Sequence, residues 1–237
     1  MLFPPSVVAH LDGRRVLAHR KNPGKYSLPP SDPLRSVVGE SFFIDLVARA
    51  EGKWGSLLSG LPELHSPPFS VGSVLDIGCG LALMDVLLCR DFGVPVVHLI
   101  DGDGTGTPTD GFRLDTKAWA DVSLGRQMVV ANNVLPEPVT VHEYVAGKRG
   151  PEEQVDLVIS LRAWGHHFPV VVYIDLVRRL LKRSGIVILD IRNGTDGIEV
   201  MTEAGFEVLR RISDSSIKCQ RVAFRWGSGG TFVRGRE

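Results

Sequence analysis

The chain has 237 residues, enough for one α/β domain with a sizeable core plus an extension too short to fold easily alone. Lys plus Arg balance Asp plus Glu at 27 each, so no global field draws it to nucleic acid or to an anionic membrane surface, and a small-molecule partner fits better. No stretch approaches the ~20 apolar residues of a bilayer span, and the widely spaced Cys79, Cys89 and Cys219 exclude a full disulfide set; the expected location is a reducing cytoplasm, with no membrane partner.

In the first 70 residues Pro4, Pro5, Pro23, Pro29, Pro30 and Pro33 interrupt regular structure, whereas Gly39 to Glu51 carries Phe42, Phe43, Leu46, Val47 and Ala50 at helical spacing. Pro62, Pro67 and Pro68 then read as a stiff linker, dividing the chain into a helical or irregular extension, 1–70, expected to cover an acceptor, and a domain, 71–237. From Val71 short apolar runs alternate with helical patterns, which is how a parallel sheet wound with crossover helices reads. Strands are predicted at Ser73 to Ile77, Val96 to Ile100, Val139 to Tyr144, Val155 to Leu161, Ile186 to Ile191, Glu207 to Ile212 and Cys219 to Phe224. Helices are predicted at Ala82 to Cys89, Leu124 to Asn132, Val171 to Leu181 and Gly197 to Ala204. The last two strands are separated only by Ser213 to Ser216 and must pair antiparallel, since a parallel crossover needs about a dozen residues.

Gly78 and Gly80 follow a buried strand and precede a helix, so the backbone can turn sharply and approach a ligand with no side chain in the way. The third glycine of a dinucleotide site is missing, because position 83 is Leu. Asp76 lies two residues before the first glycine, and Cys79, between the two, reads as a small filler. A second acid, Asp101, ends the next strand beside Gly102, where a carboxylate can accept from both hydroxyls of a ribose; Asp103 competes for that role.

Val74-Leu75-Asp76-Ile77-Gly78-Cys79-Gly80, and residues 73–226 as a whole, resemble the class I S-adenosylmethionine-dependent methyltransferases. The resemblance implies a Rossmann-like sheet of seven strands, five or more of them parallel, with an antiparallel C-terminal hairpin strand and helices on both faces. It implies S-adenosylmethionine as cofactor, with Gly78 and Gly80 at its methionine end, Asp101 at its ribose, and Asp76, Cys79, Gly102 and Ser160 around it. Many members carry an acid after the third strand to meet the adenine amine; here Tyr144-Val145-Ala146-Gly147 stands instead, so adenine is expected to stack on Tyr144 or to bind backbone.

In that fold the residues after the fourth strand, here Ser160 to Pro169, face the methyl group. They lack the Asn or Asp followed by Pro-Pro and an aromatic that nucleobase amine methylation commonly uses. His166 and His167 offer a base of near-neutral pKa for a hydroxyl acceptor, with Asp190 at the neighbouring strand to orient one imidazole. Arg162, Trp164, Arg192 and Asn193 are the expected acceptor wall. No metal is expected, because the fourth-strand loop has no carboxylate after Asp156. The segment Leu157 to Arg162, with Trp164 and His167-Phe168-Pro169, is similar to sugar O-methyltransferases of bacteria and phages, which implies a sugar or another small hydroxylated acceptor. RNA or protein methylation, or cofactor binding without turnover, are the alternatives left open.

Overall fold

A computed structural model describes residues 1–8, 35–65, 70–103, 112, 121–132, 138–146, 150–212 and 218–227. In chain order the elements are α1 (Arg35–Gly60), β1 (Ser73–Ile77), α2 (Leu83–Phe92), β2 (Val96–Asp101), α3 (Val122–Ala131), β3 (Thr140–Val145), β4 (Val155–Ser160), α4 (Ile174–Leu180), β5 (Leu181–Arg192), α5 (Gly197–Glu203), β6 (Phe206–Ile212) and β7 (Cys219–Trp226). Single 3-10 turns lie at Pro62–His65 and Val170–Val172.

The strands form one sheet of order β3-β2-β1-β4-β5-β7-β6. β1 pairs in parallel with both β2 and β4, β2 with β3 and β4 with β5, while β7 runs antiparallel to its neighbours β5 and β6. Central strands are apolar throughout because both faces are covered: all of β1, SVLDI, is buried. One face carries Val74, Val97 and Leu99 against Trp54, Leu87 and Met128, from α1, α2 and α3. The other carries Leu75, Val158 and Val187 against Val177 of α4 and Met201 of α5. The connection from β3 to β4 has nine residues, 146–154, too few for the usual crossover helix of about a dozen or more. At that end of the second face His98 stacks on His142, with ring centroids 4.9 Å apart, and on Tyr144 at 6.0 Å.

Besides shifts of up to three residues at several ends, three elements depart further from the sequence expectation. α1 extends beyond Gly39–Glu51 at both ends and runs through Gly52 and Gly55, because Trp54 and Leu57 bury against the sheet layer and packing outweighs glycine's poor propensity. The absence of a side chain at Gly60 lets Ile212 approach, since a Cβ there would stand 2.4 Å from its Cγ2. The expected helix Val171 to Leu181 divides into a 3-10 turn and α4, where Pro169 and three consecutive valines resist a regular start. β5 begins at Leu181, before a register shift opposite Val155 and Leu157.

Val7, Trp54, Leu61 and Leu64 belong to the same core as the sheet, so this part of the N-terminal extension is an added layer of the domain. The expected acceptor cover falls largely on residues 9–34 and the side chains of 35–45, outside the described residues. No helix among the described residues is long and apolar enough to cross a membrane.

Candidate functional site

Open parallel sheets present ligand sites at the carboxyl ends of their strands, where the order reverses. Here the reversal lies between β1 and β4. The chain leaving β1 turns through left-handed conformations at Gly78 (φ 76°), Gly80 (φ 56°) and Ala82 (φ 52°) before α2 begins. Gly78 N–H donates to Ile100 O at 2.7 Å, holding the turn onto β2. The two glycines do different work. A Cβ at Gly78 would stand 2.1 Å from the Cβ of Ala163, so its missing side chain admits the loop after β4. A Cβ at Gly80 would meet nothing within 4 Å, which leaves backbone exposed to open space beside the N-terminus of α2.

Acids gather beneath this turn. Asp101, 5 % exposed, accepts from Gly80 N–H at 2.7 Å with Oδ2 and from Gly102 N–H at 2.8 Å with Oδ1. It therefore shapes the turn. Asp103 is exposed. Asp76 is buried and Asp85, in the first turn of α2, is completely so. Burial raises Asp76 well above the ordinary carboxylate range, reinforced by Asp85 and Asp101, and burial pushes Asp85 up to about 7. Neither oxygen of Asp85 meets a hydrogen-bond donor among the described residues. Burial thus favours the protonated form of both carboxyls. Cys79 is a thiol pushed well above its usual range by burial and then by Asp101, Asp76 and Asp85. None of the three cysteines is in a disulfide.

The loop after β4 is held from below. Ser160, expected at the cofactor, is fully buried; its hydroxyl donates to Ile77 O at 2.6 Å and accepts from Trp164 N–H at 2.8 Å, clasping β4 to β1. Trp164, expected in the acceptor wall, is also fully buried, and its Nε1 donates to Val170 O at 2.7 Å. Protein atoms cover both side chains, so neither presents a face to a ligand. Tyr144, expected under adenine, places its hydroxyl 3.4 Å from His98 Nδ1 and stacks its ring on that imidazole.

Asp190 does not orient a histidine. It is fully buried on β5, directly opposite Arg221 of β7, and that guanidinium donates to it through Nε at 2.8 Å and Nη2 at 3.1 Å. A buried carboxylate is stable only beside a cation, and the ladder supplies one across the strand pair. Arg162 approaches from the β4 tip, its Nε 3.8 Å from Asp190 Oδ2 and its side chain 39 % exposed, on a left-handed backbone (φ 71°).

His166 and His167 meet edge to face, with centroids 4.9 Å apart, in a turn whose N–H groups converge on Ala163 O. His166 is 5 % exposed and its Nδ1 is buried with no partner. The expectation of a pKa near 6.5 or above is overturned: burial lowers it to about 4, helped by the positive charges of His167, Arg162, Arg192 and Lys218. Gly165 O accepts from Arg192 N–H at 2.9 Å, which joins this turn to the β5 tip, and Asn193 N–H donates to Lys218 O at 3.0 Å. Thus Arg162, Arg192, Asn193 and both histidines share one end of the sheet, whereas Trp164 and Asp190 lie beneath it. Sequence reasoning missed Asp85, Arg221 and Lys218. Among the described residues no group of three or more His, Cys, Asp or Glu could hold a metal ion.

No protein-family model and no curated protein matches the chain. Solved structures do. Magnesium protoporphyrin IX methyltransferase from Synechocystis PCC 6803, with bound SAH, is 14 % identical over 90 % of this chain and 96 % of its own, with TM-score 0.50. The methyltransferase domain of a bacterial Hen1 is 13 % identical over 74 % of this chain and 97 % of its own, also at 0.50. Mitomycin 7-O-methyltransferase is 9 % identical over 76 % of this chain and 54 % of its own, at 0.52. With these likenesses and the strand order β3-β2-β1-β4-β5-β7-β6, the chain has the seven-stranded Rossmann-like fold of the class I methyltransferases.

Proposed function

We propose that this protein is an S-adenosylmethionine-dependent methyltransferase acting on a hydroxyl of a small molecule, a sugar or a comparable metabolite. The observation that carries the reading is the turn at Gly80, left-handed and open on its outer side, at the point where the sheet order reverses. The residues present fit the cofactor: an unhindered glycine backbone, the first turn of α2, and the Asp101 carboxyl at the β2 tip. Cys79 is a thiol that takes no part in chemistry. Bound S-adenosylmethionine supplies an electrophilic methyl on a sulfonium.

The leaving thioether needs no acid, so the protein has to align the acceptor and accept its proton. His166 is our candidate base, with His167 beside it. The sign of its pH dependence follows from its depressed pKa. The imidazole is charged below about 4 and neutral above it, so it is ready to accept a proton across the whole range from weakly acidic to alkaline. RNA methylation is the competing acceptor class, and neutral overall charge favours the small molecule.

Calorimetric titration with S-adenosylmethionine should give saturable binding, and absence of binding by the folded protein ends the reading. Release of S-adenosylhomocysteine should then be higher with pooled hydroxylated metabolites than with RNA. Replacing His166 by Gln should lower turnover by about 10²–10⁴-fold at unchanged cofactor affinity. Wild-type turnover should stay level between pH 5 and pH 8 as far as this residue decides, whereas a steep rise within that range would show that His166 is not the base.

A further inference from the structure

Among the described residues, Arg162 and Arg192 at the β4 and β5 tips carry more positive charge than the neighbouring carboxylate balances. Asp190 carries one negative charge, and both its oxygens are taken by Arg221, which is 1 % exposed. Arg162 approaches the same carboxylate only through Nε, which is buried without a hydrogen-bond partner, and at 3.8 Å the contact is too long for a direct bond. Arg192 stands at the end of β5, half-buried, and Lys218 at the start of β7, joined by backbone to Asn193. Among the described residues no other carboxylate pairs with Arg162 or Arg192. His166 records this field, since every charged neighbour that moves it is a cation.

We infer that the acceptor carries an oxyanion, a carboxylate or a phosphate, and that Arg162 and Arg192 hold it, with Lys218 beside them. This rests on the methyltransferase reading for the word acceptor but not for the site. Guanidinium groups match planar or tetrahedral oxyanions through paired N–H donors. Asp190 and Arg221 are positioning residues: the pair lies beneath Arg162 and gives its Nε the nearest negative charge. A bound oxyanion would offset the cations around His166 and raise the basicity of the imidazole beside the reacting hydroxyl. Recognition of the acceptor and activation of the base would then be one event.

The test uses inorganic phosphate and, in a separate arm, acetate, titrated into the full chain at low ionic strength with chloride as the control salt. Phosphate should bind saturably in the millimolar range, and the histidine proton signals should show the His166 pKa rising from about 4. Arg162→Gln and Arg192→Gln should each weaken phosphate at least tenfold, while Arg225→Gln, opposite Ile186 at the far end of the sheet, should leave it unchanged. If Arg162→Gln fails to fold, Arg192→Gln decides alone. The stronger of the phosphate and acetate arms identifies the oxyanion. No saturable binding, or binding indifferent to the arginine variants, overturns the inference. So does a single-stranded oligonucleotide that displaces phosphate at a hundredfold lower concentration, because the cations would then serve a polymer backbone. A protein that binds S-adenosylmethionine but not phosphate refutes this inference only; one that binds phosphate but not S-adenosylmethionine refutes the methyltransferase reading only.

Discussion

The two halves of the site are built with opposite charge. At the tips of β1 and β2 and in the first turn of α2 lie Asp76, Asp101 and Asp85; Asp101 is stitched to glycine amides, and burial raises the pKa of the other two. At the tips of β4, β5 and β7 lie Arg162, Arg192 and Lys218 around an imidazole held neutral. An acid-rich half suits a cationic ligand and a base-rich half suits an anionic one, so the sheet separates two partners by sign as well as by place. The difference also shows how each side tolerates burial. The acids are accommodated by protonation, whereas Asp190 and Arg221 are accommodated by pairing.

Breaking the pairing should have the largest effect. Asp190→Ala leaves the guanidinium of Arg221 uncompensated in the core and should cost about 3–5 kcal/mol in denaturant unfolding. Replacing both partners, Asp190→Leu with Arg221→Met, should recover most of that stability; failure to recover it would mean that the pair fixes the β5 to β7 register as well. Next in size is Gly80→Val. A branched residue forced to φ 56° carries about 1–2 kcal/mol of backbone strain and also fills the open space. Cofactor affinity should fall by at least tenfold in titration, and unchanged affinity would move the cofactor away from the acid half.

The effect at Asp85 depends on pH and vanishes in acid. Its folded pKa is raised to about 7 from the ordinary 3.8, so the fold binds a proton that the unfolded chain has released between those values. Stability is therefore unpenalised below 3.8, falls as pH rises through that window and carries the full penalty above about 7. Asp85→Asn removes the charge and can donate to Asp76. It should stabilise by roughly 1.5–3 kcal/mol at pH 8 and by nothing at pH 3.5. Equal stabilisation at both values would show that Asp85 is not the titrating group.

What could be read from the chain follows from how local each signal is. β1 matches its expected span, because a continuous buried apolar run bounded by glycine has one interpretation. Gly78 and Gly80 were legible because a left-handed turn after a strand is a demand made within five residues. Arg221 was not, since its partner is 31 residues away and only the β5 to β7 register places them together. Asp85 reads as an ordinary acid in a first helical turn, favourable to the dipole, until burial removes its water. The low pKa of His166 was not legible, because it follows from burial first and then from cations at three separate strand ends. Ser160 and Trp164 were expected to face a ligand and instead point into the protein, which only the packing of the loop reveals.

One feature of the glycine turn reaches beyond it. Ala82 holds a left-handed backbone at zero exposure, and a Cβ on Gly125 of α3 would stand 3.3 Å from the Ala82 methyl and 3.2 Å from Gly80 O. The methyl on one side is thus accommodated by the hydrogen on the other, and a side chain at position 125 would press at once on Gly80 O, the Ala82 methyl and the Cys79 sulfur, so that α3 bears on the glycine turn from behind.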